Sequence, residues 1–520
     1  MAGLCLFISL LLLCFAECGK LLVVPVFGGH WAGMKPLVNK LGQAGHELVV
    51  LLPEVMHVDT SQLYQIRAFP VPYTKMQMEG YIQDMQDDAF DQRSFWERFQ
   101  KSMERSSNFI KFFFTVCESL LMDKELMNLI KEERFEAVLS DPFTPCGSIL
   151  AYYLSIPLVN IMRGIPCGLL YHASQCPSPP SYVPRMLTQL TDHMTFLQRT
   201  INFLASLKDL VLCKFIYSSF EDLAKTVLNK EITIQEVLGY TSIWLLRYDF
   251  VFEYPKPLMP NMILVGGINC KPNENLSQEL ESFVDSSNDH GIVIFSFGSL
   301  VSEIPEDRAN LIAEALGKIP QKVLWKYSGK IHSNVSTNIK LVDWLPQNDL
   351  LAHPKTKAFI THGGSNAVYE AICNGVPLVM LPLYGDQLTN THLIASRGAG
   401  ISLSITDMSS QDLVDALDSV INDTRYKEAM KKLSILHKDR AVEPLDLAVH
   451  WVEFVMKHKG ANHLHPAAHE LNWIQYHCLD VIGFLLAILL GTTFLGFKCC
   501  LCCCRKCPYN RVAIKKPKSE

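Results

Sequence analysis

The 520-residue sequence predicts an α/β protein with two doubly wound domains facing across a cleft and a single membrane-spanning helix near the C-terminus. Three observations predict it. A strand, a glycine turn and a helix open the chain near residue 20, and a second βα series begins near residue 292. A polar, turn-rich stretch separates the two series, and an uncharged apolar run precedes a basic tail.

In chain order, residues 1–18 carry the apolar run Leu4 to Phe15 and the small residues Ala16 and Cys18 before Gly19, which predicts a secretory signal peptide; a buried first strand is the alternative. An apolar strand over 20–27 then leads into Gly28-Gly29-His30 and a helical stretch over 32–41. A second strand, 46–52, follows Gly42 and Gly45, and a third, 137–139, ends at Ser140-Asp141. Ligands of such sheets collect beyond the carboxyl ends of the strands, where His30 and Asp141 both fall. The stretches 76–127 and 177–220 are insertions that either wall an apolar acceptor pocket or pack against the sheet.

The turn-rich stretch 269–291 reads as a linker, which divides the chain into a first domain at 19–270, a linker at 271–290 and a second domain at 291–445. The second domain alternates strands at 292–297, 322–327, 339–344, 358–361 and 378–381 with helices at 305–316 and 366–373. Helices within 446–478 are expected to cross back to the first domain.

Residues 481–497 (VIGFLLAILLGTTFLGF) hold no charge and make about 26 Å of helix at about 1.5 Å per residue. With Leu479 they just span a bilayer core of about 30 Å, so 479–497 is the predicted transmembrane helix; a buried core helix is the alternative. The tail at 498–520 carries Lys498, Arg505, Lys506, Arg511, Lys515, Lys516 and Lys518 against Glu520, which places it in the cytosol and gives a single-pass type I topology. Lys516 and Lys518 resemble a retrieval signal that returns proteins to the endoplasmic reticulum. Six cysteines, Cys499, Cys500, Cys502, Cys503, Cys504 and Cys507, crowd the membrane exit and suit S-acylation better than a metal, since Cys504 and Cys507 have no second pair. The eight cysteines from Cys117 to Cys478 show no framework spacing, so bridges are not required and several are expected as buried thiols. Net charge −5, with no basic patch outside the tail, argues against a nucleic-acid partner. Sequons at Asn275, Asn334 and Asn422 agree with exposure to the lumen.

The chemistry concentrates in residues 344–387, WLPQNDLLAHPKTKAFITHGGSNAVYEAICNGVPLVMLPLYGDQ. A nucleoside diphosphate needs a flat surface for its base, a carboxylate for its ribose and donors for its phosphates. Trp344 can stack on a base, Gln347 can reach its edge or the ribose, and Glu370 can accept from ribose hydroxyls. Gly363 and Gly364 stand where a helix begins, whose free N–H groups and positive end suit a diphosphate. Asn366 and Glu370 share a helix face, His362 enters from the turn before it, and Gly298-Ser299 adds a second turn with a hydroxyl. Asp386-Gln387 closes the block.

That pattern resembles the signature of the UDP-glycosyltransferases, and most closely the vertebrate membrane-bound UDP-glucuronosyltransferases. The likeness extends to Gly28-Gly29-His30-Trp31, Ser140-Asp141-Pro142-Phe143, the segment HKDRAVEPLDLAVHWVEFVMKHKGANHL, the membrane span and the basic tail. It implies a GT-B fold of two Rossmann-like domains, with UDP-glucuronate as co-substrate, a small lipophilic hydroxyl acceptor, no cofactor and no metal. It further implies that His30 is the base and Asp141 its partner, that Trp344 and Gln347 contact uridine and Glu370 the ribose, and that Ser299, His362, Gly363 and Asn366 contact phosphate. Asp386 and Gln387 then contact the sugar hydroxyls and Arg247 the donor's charged end. One-step displacement at the anomeric carbon would invert it. The absence of any Asp-x-Asp fits a metal-independent reaction. UDP-glucose, UDP-xylose or UDP-N-acetylglucosamine as donor, or a non-catalytic nucleotide-sugar-binding membrane subunit, are the competing readings. Residence in the endoplasmic reticulum membrane with lumenal catalytic domains, and homo- or hetero-oligomers, complete what the resemblance implies.

Overall fold

The computed structural model describes residues 18–56, 61–90, 93–164, 166–271, 274–331 and 335–506. The signal stretch before Cys18, Asn334, Cys507 and the tail basic residues from Arg511 onward lie outside these residues.

Two wholly parallel sheets carry the fold. The first has seven strands in the order β3 (Gln65–Phe69), β2 (Glu47–Pro53), β1 (Lys20–Val24), β4 (Ala137–Ser140), β5 (Leu158–Met162), β6 (Ile243–Leu246) and β7 (Met262–Leu264). The second has six, in the order β10 (Ile339–Val342), β9 (Lys322–Lys326), β8 (Ile292–Ser296), β11 (Thr356–Thr361), β12 (Leu378–Met380) and β13 (Gly400–Ser402). Their central strands are continuous apolar runs, as parallel strands covered on both faces must be: Leu21, Leu22 and Val23, like Ile292 to Phe295, are fully buried. The first strand is shorter than its apolar run because Pro25, lacking an N–H, cannot extend the ladder.

In each sheet the strand order reverses once, between β1 and β4 in the first and between β8 and β11 in the second. At such a switch point the connections leave in opposite directions and open a crevice beyond the carboxyl ends. Helix α1 (Gly29–Gln43) begins at the first crevice and α2 (Ser365–Asn374) at the second, while α3 (Gln387–Ser396) follows β12. The two crevices face each other: a Cβ added to Gly28, which sits at φ +68°, would lie 2.8 Å from Leu300 in the loop after β8.

The stretch expected as a linker contains the helix Gln278–Asp285, whose Val284 is fully buried. The insertions form the helices Phe95–Met122 and Phe196–Leu228. The closing helix α4 (Pro444–His458) buries Ala448, Val452, Val455 and Met456 in one cluster with Leu21, Val23 and Met34 of the first sheet and α1. Beyond residue 465 the chain forms a separate unit containing the helix Leu479–Lys506, long and apolar enough to cross a membrane.

The cysteine expectation needs correction. Six of the eight cysteines between Cys117 and Cys478 pair as Cys117–Cys146, Cys167–Cys213 and Cys270–Cys373; Cys176 is a buried thiol and Cys478 an exposed one. Partners 29, 46 and 103 residues apart meet only through the tertiary fold, so no local spacing announces them.

Candidate active site

The two switch points open onto one cleft of about 640 Å³. His30, Arg247, Ser299, Trp344, Gln347, His362, Asn366, Glu370, Asp386 and Gln387 all line it; Asp141 and Gly363 stand just behind the wall.

On the first sheet, α1 delivers His30 at its N-terminal turn and β4 delivers Asp141 at its carboxyl end. His30 Nδ1 lies 2.7 Å from Asp141 Oδ2, and the buried Asp141 is further fixed by the Phe143 N–H, which donates to Oδ1 at 2.9 Å. Burial pushes the His30 imidazolium down, but the Asp141 carboxylate outweighs it, so the group titrates above its ordinary value of 6.5. With Nδ1 committed to Asp141, the ring has Nε2 left to accept a proton. Phe143 packs on the His30 ring, with centroids 5.0 Å apart, and Phe113 stacks on Phe27 at 5.2 Å, giving this end of the cleft aromatic walls.

On the second sheet, β11 ends at Thr361 and the chain turns through His362, Gly363 (φ +82°) and Gly364 into α2. The His362 ring lies between two glycines: a Cβ on Gly298 would stand 2.8 Å from its Cε1, and one on Gly364 2.6 Å from its Nε2. Burial drives the His362 pKa down to about 4, with Lys326 lowering it further and Asp386 opposing, so near neutral pH the ring offers one N–H and no charge. No side chain caps α2, and Ser365 Oγ at its first position is buried without a protein partner. Free backbone N–H groups and an unspent hydroxyl at a helix start suit phosphate oxygens.

Glu370, one face of α2 further on, accepts from Gln347 Nε2 at 2.6 Å and Asn269 Nδ2 at 3.3 Å. Burial raises its pKa, and these two amide donors oppose the rise. Trp344 stands 71 % exposed on the rim, a large flat surface with nothing packed over it. Gln387 spends Oε1 on the backbone N–H groups of Leu383 (2.7 Å) and Tyr384 (3.1 Å), so its amide nitrogen is what it offers a ligand. The Asp386 carboxylate accepts from Asn390 Nδ2 at 2.9 Å.

Two arginines at the ends of neighbouring strands join the halves. Arg247, after β6, donates to Asn366 Oδ1, and Asn366 Nδ2 donates to the Gly29 carbonyl at 3.2 Å. The Asn366 side chain is thus spent between the sheets, which leaves its backbone N–H as what it could offer an anion. Arg163, after β5, donates to Asn390 Oδ1 at 2.8 Å. Sequence reasoning missed Arg163, Asn269, Lys326, Ser365 and Asn390, which stand singly among unremarkable neighbours; only Ser365, inside the block of residues 344–387, carried a positional hint.

The arrangement suits proton removal at one end and stabilisation of a leaving diphosphate at the other. A family model described as UDP-glucoronosyl and UDP-glucosyl transferase matches residues 19–513. Among curated proteins, UDP-glucuronosyltransferase 1A6 of Homo sapiens is 52 % identical over 498 residues, covering 96 % of this chain and 94 % of that protein. UDP-glucuronosyltransferase 1A1 of Mus musculus is 50 % identical over 517 residues, covering 98 % and 97 %. Among solved structures, the glycotransferase of kitacinnamycin superposes with a TM-score of 0.60 at 14 % identity, and CalG4, the calicheamicin glycosyltransferase, with 0.59 at 15 %; each match covers 85 % of this chain and 99 % of the other. Those likenesses give the GT-B fold.

Proposed function

Because the chain belongs to the UDP-glucoronosyl and UDP-glucosyl transferase family, and is therefore a glycosyltransferase, we propose that it moves glucuronic acid from UDP-glucuronate to a hydroxyl of a small lipophilic acceptor. The observation that carries the choice of sugar is Arg247. Its guanidinium is buried, donates to the neutral Asn366, leaves Nε without a partner and, among the described residues, has no carboxylate in ion-pair contact. Burial pushes the Arg247 guanidinium down while Asp141 and Asp386 oppose this from a distance. A buried cation in no direct ion pair is costly, and the carboxylate of a glucuronate would supply one.

In this reading Trp344 stacks on uracil, Gln347 and Glu370 hold the ribose, and the start of α2 with Ser299, His362 and the Gly363 turn takes the diphosphate. Asp386 and Gln387 contact the sugar hydroxyls. His30 Nε2 accepts the acceptor's proton as the acceptor oxygen bonds to the anomeric carbon and UDP departs from the opposite face, which inverts an α-linked donor to a β-linked product. Asp141 holds the tautomer and stabilises the imidazolium. Negative charge developing on UDP falls on the α2 N–H groups. The apolar helix at Leu479–Lys506 and the basic tail support anchoring in the endoplasmic reticulum membrane with both sheets in the lumen.

The test is a panel of UDP-sugars with one phenol. Arg247→Leu is expected to narrow the kcat/KM preference for UDP-glucuronate over UDP-glucose by about tenfold to a hundredfold, the worth of a charge-assisted hydrogen bond. A wild-type preference for a neutral sugar, or a variant whose preference is unchanged, overturns the assignment.

A further inference from the structure

The cleft wall holds a charged cluster that the reaction above does not use. Glu253 binds two cations at once: Arg163, and Lys256 with Nζ 3.0 Å from its carboxylate. All three side chains are at most 15 % exposed and line the same cleft as His30. Lys256 Nζ also lies 4.2 Å from the Tyr248 ring centroid. Both cations hold Glu253 down at about 2, so it stays ionised, yet one carboxylate cannot neutralise two cations.

The neighbouring pair does not restore the balance. Arg185 spends its fork on neutral partners, Ser178 Oγ at 2.8 Å and the Ser178 carbonyl at 2.9 Å, and its Nε is buried without a partner. Burial pushes the Asp209 carboxyl up, with Arg185 opposing the rise. Asp386 acts on Arg163 from a distance, but among the described residues the only carboxylate in ion-pair contact with Lys256 is the one it shares with Arg163, beside Tyr171 and largely apolar walls. An excess cation in a partly dehydrated wall is relieved by a ligand anion and by little else on offer there.

The strand order sets the reach. His30 follows β1, whereas Arg163 and the Glu253–Lys256 segment follow β5 and β6, two and three strands along the same edge. At about 4.8 Å per strand the ends of β5 and β6 stand about 10 to 14 Å from that of β1, which sets the scale of the span from base to cluster. Building on the glucuronosyl-transfer reading, we propose that the favoured acceptors are amphipathic anions: a hydroxyl presented to His30, a rigid apolar body of two or three rings, and a carboxylate or sulfonate received by Lys256, with Arg163 and Arg185 lending field. Lys256 is the specificity-determining residue.

The probe is a biphenyl with a hydroxyl at one end and a carboxylate at the other, compared with its methyl ester, on the full-length membrane enzyme. Direct binding of each, read by quenching of biphenyl fluorescence, and kcat/KM with UDP-glucuronate are both measured. The carboxylate is expected to bind at least tenfold tighter than the ester. Lys256→Met should bring that ratio close to one and Lys256→Arg should keep it, with retained UDP binding showing that each variant is folded. An ester bound as well as the carboxylate by the wild type, or a ratio that Lys256→Met leaves unmoved, overturns the proposal. Binding discrimination without transfer of any glucuronate would instead overturn the activity and leave the anion site standing.

Discussion

His30→Ala is expected to lower transfer to hydroxyl acceptors by about a hundredfold to ten-thousandfold, the usual worth of a positioned general base, while leaving UDP affinity nearly intact. The division follows from where the groups originate. His30 comes from the crevice of the first sheet, whereas Trp344, Gln347, Glu370 and the start of α2 come from the second. Steady-state kinetics beside a UDP-binding isotherm check it; full activity in the variant overturns the base assignment. The pH profile carries a second test. A base works only when neutral, and the Asp141 carboxylate raises the His30 pKa against burial and the Arg247 charge. The wild-type rate should therefore fall as pH drops through a value above 6.5. Asp141→Asn removes the largest raising influence and leaves the two lowering ones, so its acid limb should shift to lower pH even as the maximum rate falls. An acid limb that stays in place in Asp141→Asn would show that some other group sets it. The same pair also stabilises the fold: because the folded pKa is raised, that contribution is fully present below 6.5 and is lost as pH rises through the folded value.

Much of this candidate site was legible because its cleft-lining residues fall in one local pattern. Residues 344–387 cover one edge of one sheet, so a single block shows Trp344, a glycine-led helix start and Glu370 together. The strand–turn–helix openings were legible for the same local reason. What escaped is non-local. β3 has only Phe69 fully buried and sits at the sheet edge, so its sequence shows no buried run. β5 is buried along its whole length, but five residues, LVNIM, interrupted by Asn160, are too short to be told from a buried helix by periodicity. β7 and β13 have three residues each. Arg163 and Asn390 are 227 residues apart, and Arg247 and Asn366 are 119 apart; neither bridge exists until both sheets have formed. The three disulfides fall in the same class. Cleft residues tied to a turn can thus be read from order along the chain, while the contacts that bring the two halves together cannot.

Those turns also carry the steric constraint with the largest expected consequence. Gly298 follows β8 at φ +83° and Gly364 precedes α2, and the space that their missing side chains leave is filled by the His362 ring. Gly298→Ala adds a left-handed backbone strain to a 2.8 Å collision with His362, a ring held against the Thr361 hydroxyl at 3.3 Å and therefore poorly able to yield. Gly364→Ala has ordinary backbone angles, φ −62° and ψ 145°, so its 2.6 Å collision acts on the ring alone. In both variants the displaced ring moves into the space before α2 where a diphosphate would sit. Each is expected to weaken UDP binding by about a hundredfold, equivalent to about 2.8 kcal/mol, with Gly298→Ala also lowering thermal stability by about 1 to 3 kcal/mol for its strain. Gly29→Ala is the control: no atom lies within 4 Å of its added Cβ, and it should bind UDP like the wild type. If Gly364→Ala binds UDP normally while remaining folded, His362 does not border the phosphate site, and the donor half of the proposed mechanism has to be rebuilt around other groups.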